Sequence, residues 1–217
     1  MLNSLPHLTG TLNEDKIKFV DQTPEILFEN EDFVGINKPA GWLSVPAREP
    51  KPGDLVVSHW LREGPIGSAF MIHRLDRFTS GVMLIAKNDR AHRQGNLWFE
   101  KRIAKKIYHF LASPPPSRPA IQIKTPVDGK PAQTLFEVLE THHEFFFGRA
   151  TPLTGRFHQI RDHAAQAGFP LLGDASFHGK PGPRVCLHAY SLETPIGKIE
   201  APFAPDLLKL WSEIKNA

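Results

Sequence analysis

The chain has 217 residues, 41% of them hydrophobic, a formal net charge of +3 and 11 histidines. That suffices for a sizeable core in one large domain or two fused halves, and the mild basic excess permits a polyanionic partner without demanding one. A single cysteine, Cys186, rules out an internal disulfide. No run approaches the roughly 20 apolar residues of a membrane span, and the start lacks a basic segment followed by an apolar one. A soluble, cytoplasmic protein without a membrane partner is expected.

Residues 1–24 are weakly patterned and are expected to form an N-terminal extension ahead of a main domain over 25–217. Ile26-Leu27-Phe28 and Phe33-Val34-Gly35-Ile36 predict two strands joined by an acidic turn, and Lys38-Pro39-Ala40-Gly41 breaks the second. Asp54 is a candidate N-cap for a helix through Trp60 that stops near Gly64. Val82-Met83-Leu84-Ile85-Ala86 reads as a buried strand. Asn88 or Asp89 is placed to cap a helix running to about Lys101, and Ile103–Leu111 reads as a strand with Lys106, Tyr108 and Phe110 on one face. The proline run from Ser113 to Pro119 is the best linker candidate, joining two halves. Further strands are predicted at 134–140, 145–151, 185–192 and 198–201, with a helix over 157–166 and a short C-terminal helix capped by Asp206. The pattern predicts an α+β fold, with a largely antiparallel mixed sheet and flanking helices.

Two segments carry chemistry. In Met71-Ile72-His73-Arg74-Leu75-Asp76-Arg77-Phe78-Thr79-Ser80-Gly81, one carboxylate sits between two arginines on a loop that leads straight into the buried strand. Positive surroundings favour the ionised form of a carboxylate. Such a group serves as nucleophile, as base or as partner to a bound cation. In Thr154-Gly155-Arg156-Phe157-His158-Gln159-Ile160-Arg161, a turn precedes a helix start, where free backbone N–H groups favour anions. Its two arginines suit phosphate or a buried carboxylate. The next residue, Asp162, is expected to face solvent, since neighbours on a helix point about 100° apart. No metal site is expected: His158 and His163 fall about 140° apart on a helix and there is no cysteine pair. No phosphate-cradling glycine motif occurs, so no nucleotide cofactor is expected. An aspartate-nucleophile phosphohydrolase is disfavoured because Phe78 stands where its second carboxylate would be.

The strings His73-Arg74-Leu75-Asp76-x-x-Thr79-Ser80-Gly81 and Thr154-Gly155-Arg156-x-His158-Gln159-Ile160-Arg161 resemble the motifs of the RluA family of RNA pseudouridine synthases. Lys106-Ile107-Tyr108 is similar to that family's Lys-x-Tyr strand, and Lys38-Pro39-Ala40-Gly41 to its first motif. The matches run from about Ile26 to Phe203. The resemblance implies a pseudouridine synthase-like fold in two fused halves around a central cleft, here the catalytic domain without an S4 domain. It implies Asp76 as the catalytic residue, Arg161 as its pairing arginine and Tyr108 as a ring against the uracil that handles the C5 proton. Arg74, Arg77, Lys38, Arg156 and His73 are the candidate RNA contacts, Lys38 being expected more to shape the loop below Asp76 than to approach phosphate, and the resemblance implies that Arg74 fills the gap left by a flipped base. The expected substrate is a stem-loop in large-subunit rRNA or tRNA, handled by a monomer that needs neither metal nor organic cofactor. A non-catalytic RNA-binding module on the same fold is the alternative; turnover would separate the two.

Overall fold

A computed structural model describes residues 22–64 and 66–217. The extension expected over 1–24 lies almost wholly outside these residues. The chain opens with β1 (Glu25–Glu29) and β2 (Phe33–Lys38), an antiparallel pair. Asn30 closes the turn between them, its side-chain oxygen accepting from the backbone N–H groups of Asp32 and Phe33 at 2.9 and 2.7 Å. Then come α1 (Val57–Glu63), β3 (Phe70–Met71), β4 (Ser80–Ala86) and α2 (Asp89–Glu100). Asn88 caps α2 by accepting from the Ala91 N–H at 2.9 Å. The second half runs β5 (Lys105–Ala112), β6 (Ala120–Ile123), β7 (Thr134–His142), β8 (Phe145–Pro152), α3 (Gln159–Gln166), β9 (Leu187–Thr194), β10 (Gly197–Glu200) and α4 (Pro205–Lys215).

These strands form one ten-stranded sheet in the order β1-β2-β4-β9-β5-β8-β7-β6, with β3 also on β4 and β10 also on β9. Every pairing is antiparallel except β4 with β9. That parallel seam is short, with Ser80 opposite His188 and Gly81 opposite Ala189. It divides the sheet into two halves, each built from antiparallel neighbours. The approach at the seam demands glycine: Gly81 has φ +110°, and a Cβ there would lie 2.2 Å from the Ala189 carbonyl oxygen. The chain changes halves between α2 and β5. The Ser113–Pro119 run instead connects β5 to β6 within the second half, so it is not the junction expected from its composition.

β4 is apolar throughout because both its faces are covered. Val82, Leu84 and Ala86 pack with Ala91 and Trp98 of α2, while Met83 and Ile85 pack with Val57 and Leu61 of α1. In the second half, Phe110, Phe136 and Phe146 pack with Ile160 and Ala164 of α3. On the opposite face, Leu111 and Cys186 meet Leu207 and Trp211 of α4.

Two expected caps are otherwise engaged. Asp54 accepts from the Lys51 N–H at 2.9 Å and pairs with Arg77 at 3.3 Å, and α1 starts only at Val57. Asp206 lies inside the first turn of α4 and takes both ends of the Arg184 fork, at 2.7 and 3.2 Å.

Lys38 shapes the loop below Asp76 and does not reach out as an RNA contact. Its side chain is fully buried at the end of β2, and its ammonium donates to the carbonyls of Pro39, Trp42 and Arg77 at 2.9, 2.8 and 3.1 Å. Three donors meet three acceptors, leaving none for phosphate. Burial pulls its pKa well below the ordinary lysine value, and the nearby Arg184 charge adds to this. Lys38→Ala strands those carbonyls, so unfolding free energy should drop by about 2–4 kcal/mol in urea titration. The salt dependence of RNA binding should stay as in the parent, whereas a lost phosphate contact would flatten it by about 0.7.

Two histidines with little access to water, His73 partly and His188 fully buried, set a limit on acid stability. Burial lowers His73 to about 3, helped by the Lys106 charge, and lowers His188 to about 4, helped by Arg184. Both are neutral in the folded chain, while unfolded histidine protonates near 6.5. The unfolded state therefore binds more protons below that pH, and stability is lost as pH falls. From about pH 6.5 down to about 4 each should remove roughly 1.4 kcal/mol per pH unit, read from urea midpoints across that window.

Candidate active site

Asp76 lies on the loop between β3 and β4, and each neighbour on that loop is tied down. Leu75 exchanges two bonds with the buried Ser44 hydroxyl: Oγ donates to its carbonyl at 2.8 Å and accepts from its N–H at 3.0 Å. The Arg77 carbonyl accepts from the Gly41 N–H and from Lys38. The Phe78 carbonyl and the Ser80 hydroxyl each accept from Arg184, both at 2.9 Å. Thr79 donates its N–H to the Asp76 carbonyl at 3.1 Å. The Asp76 carboxylate projects from this frame, with 24% of its side chain exposed.

Facing it is the first turn of α3, which starts at Gln159 rather than at the expected Phe157. The preceding loop is locked by Gln159, whose amide oxygen accepts from Thr154 Oγ1 and the Arg156 N–H while its nitrogen donates to the Gln133 carbonyl and Thr134 Oγ1. His158 adopts a left-handed backbone, φ +53°, and brings Nε2 to 3.5 Å from Asp76 Oδ2. Burial lowers the His158 pKa and so do Arg161 and Arg74, against the opposing pull of Asp76 and Asp174. Arg161 Nη1 lies 3.8 Å from the same Asp76 oxygen. That is an ion pair at long range, beyond hydrogen-bond distance.

The close partner of Arg161 is one that sequence reasoning missed. Asp174, 1% exposed, accepts from Arg161 Nε and Nη2 at 2.7 Å each, a two-pronged charge-assisted contact. Burial alone would lower the Arg161 pKa, but the bonds and charge of Asp174, with that of Asp76, raise it on balance. Phe177 covers the guanidinium, its ring centroid 5.2 Å away. Asp174 reaches this position from a turn in which Gly173 has φ +74° and a Cβ would fall 1.7 Å from the Arg184 carbonyl oxygen. Asp162 accepts from Gln166 Nε2 on the helix surface at 2.9 Å.

Tyr108 on β5 completes the wall of a cleft of about 990 Å³ lined also by Asp76, Lys106, His158 and Arg161. Burial pushes the Tyr108 phenol well above its ordinary value and the Asp76 charge pushes it further, so the phenol is protonated at rest. Arg74 and Arg156 stand on the rim. Arg77 does not: its side chain braces the loop below, donating to the Gly41 carbonyl at 3.2 Å and pairing with Asp54. His73 lines the cleft, but as an uncharged ring. Its Nε2 accepts from the Leu84 N–H at 2.9 Å, and it stacks on Phe99 with centroids 4.6 Å apart. Any contact it makes with RNA is therefore that of a neutral ring. Among the described residues no group of three or more His, Cys, Asp or Glu side chains is placed to hold a metal ion. No helix among them is long and apolar enough to cross a membrane.

Residues 32–166 match the family model for RNA pseudouridylate synthase. The chain is 35% identical over 188 residues to the dual-specificity RNA pseudouridine synthase RluA of Escherichia coli, covering 77% of this chain and 84% of that one. It is 35% identical over 175 residues to the protein of the same name from Vibrio parahaemolyticus, covering 71% and 69%. Among solved structures it resembles human RNA Pseudouridylate Synthase Domain Containing 4, with a TM-score of 0.74 at 21% identity over 88% of this chain and 93% of that one. Human RNA Pseudouridylate Synthase Domain Containing 1 gives 0.68 at 23% identity over 90% and 96%. These two share the fold. The chain belongs to the RNA pseudouridine synthase family, isomerases that act on RNA. The matched segment holds Asp76, Tyr108 and Arg161 and ends before Asp174.

Removing one member of a buried ion pair strands the other charge. Asp174→Ala and Arg161→Ala should each lower unfolding free energy by about 3–5 kcal/mol. The double variant should cost clearly less than the sum, as a urea-denaturation cycle would show. Additive losses would mean that the two side chains do not depend on one another.

Proposed function

We propose that Asp76 is the reacting carboxylate with which this chain converts uridine to pseudouridine in structured rRNA or tRNA. The observation that carries the reading is the paired but unsaturated state of Asp76: a guanidinium 3.8 Å away, its other nitrogens held by Asp174, and an open cleft in front. A reacting base inside a stacked helix is out of reach of such a group, so the uridine enters the cleft flipped.

The reaction breaks N1–C1′ and joins C5 to C1′. The proton on C5 is lost and N1 gains one, so no oxidant, reductant or third reactant is called for. Asp76 acts either by covalent attack on the sugar or base or by removing the sugar 2′ proton to give a glycal; the roles of the other groups are the same on both routes. Arg161 aims the Asp76 carboxylate. Tyr108 packs on the uracil and, entering protonated, gives its hydroxyl proton to the uracil nitrogen freed when N1–C1′ breaks, so that the phenolate formed can take the proton from C5. Arg74 fills the space left by the flipped base, and Arg156 approaches the backbone. The name of the relatives, dual-specificity RNA pseudouridine synthase, supports carrying both RNA classes. We take residues 25–217 as the catalytic domain and a cytoplasmic monomer as the working form. A single cysteine, its thiol buried and pushed up to about 12 by that burial, suits a reducing compartment.

Pseudouridine mapping in rRNA and tRNA, with and without the gene, should show sites that vanish on deletion. Asp76→Asn should bring tritium release from 5-tritiated uridine in those RNAs to background while RNA binding persists. Tritium release at the parent rate would remove Asp76 from the reaction.

A further inference from the structure

We propose that Phe157 is a stacking platform for an unpaired RNA base next to the flipped uridine, so that the chain selects substrates whose target lies in an open loop. The inference rests on the synthase reading and extends it to substrate choice. Phe157 is 57% exposed, and among the large exposed hydrophobic side chains of the described residues it is the only aromatic one. A lone exposed apolar residue needs no explanation. Phe157 differs in its surroundings. One ring contact joins it to His158, with centroids 3.6 Å apart and planes 25° from parallel. His158 in turn meets Asp76 through Nε2 and Phe177 edge-on at 6.3 Å. The Arg74 guanidinium carbon stands 5.9 Å from the Phe157 centroid. A ladder of flat groups therefore runs from the covered Arg161 to the open rim, and Phe157 is its outer rung.

Burying a phenylalanine gains about as much as any side chain in the protein, yet Phe157 belongs to none of the four core clusters. Its loop is fixed by the four hydrogen bonds of Gln159, so it is held out by structure rather than left loose. The charge around it selects the occupant. Arg74, Arg102, Lys105 and Arg156 share the cleft rim, which suits a phosphate chain, and Glu100 and Asp76 are the only carboxylates in the lining. A base offers a flat face to the ring and its backbone offers charge to the arginines, whereas a paired base has both faces occupied.

The test separates stacking from catalysis by measuring equilibrium binding in the Asp76→Asn background, where the RNA stays intact. The probe is a hairpin RNA with a uridine-rich loop. Phe157→Ala and Phe157→Leu should each weaken binding about tenfold, within the range of a lost base–aromatic stack, and Phe157→Trp should bind at least as well as the parent. One abasic substitution in the loop should erase the difference between Phe157→Ala and its parent, while abasic sites elsewhere leave it. With Asp76 intact, Phe157→Ala should raise KM more than it lowers kcat. Equal affinities for the parent and the Ala and Leu variants, a penalty that survives every abasic substitution, or no binding of the hairpin would overturn the platform. Failure of the parent chain to release tritium from any rRNA or tRNA would instead count against the synthase reading, and the binding result would keep its meaning.

Discussion

The chemistry of this protein depends on how tightly the backbone from Leu75 to Ser80 is held. Ser44, Gly41, Lys38 and Arg184 all bond to it, and they arrive from two stretches of chain far apart in sequence. A net contribution of about 0.5–1.5 kcal/mol per bond makes the set a substantial fraction of a domain's stability. The greater effect is geometric. A carboxylate on a free loop would lose conformational freedom each time it met its substrate; one on a clamped loop has lost it already. Lys38 and Arg184 do this with buried cations whose donors are spent on carbonyls and on Asp206, so the positive charge beneath the loop is structural, and the charge available to RNA lies on the rim.

Arg161 shows the same economy. A guanidinium that forked onto Asp76 would satisfy both of its oxygens and blunt it. Asp174 takes the fork instead, at 2.7 Å on each prong, and leaves a single nitrogen at 3.8 Å for Asp76. The shorter, buried, two-pronged contact is the stronger of the two and fixes where the arginine sits. Asp76 receives the field of a cation without surrendering its lone pairs to it.

Much of this was legible in the amino-acid order. The apolar run of β4, the Asn88 cap and the alternation along β5 that puts Lys106 and Tyr108 on one face all follow from periodicity and local chemistry. Asp76 and Arg161 stood out through strings too long to be accidental. What escaped notice depends on tertiary neighbours. Asp174 is one carboxylate in a turn 13 residues from Arg161, and nothing local distinguishes it from a solvated one. Asp54 and Asp206 have the type and spacing of caps, but Arg77 and Arg184 claim them from across the fold. The surroundings of Lys38 and His73 were out of reach for the same reason, since sequence shows residue type but not which way it points. β6 was missed because four half-exposed residues after a proline run carry too little pattern.

The two-residue seam between β4 and β9 has a consequence for assembly. Ser80 and His188, opposite one another there, are 108 positions apart, and the closure that joins them is among the longest in the sheet. Each half has its own antiparallel neighbours, so most strand pairing forms without that closure, whereas the core around β4 also takes in Leu192 and Ile199 from the other half. Asp76 belongs to one half, and Tyr108, Arg161 and Asp174 to the other. Loop-closure entropy makes such distant contacts slow to form. Recovery of activity after dilution from denaturant therefore times the joining of the halves, while circular dichroism times events that precede it.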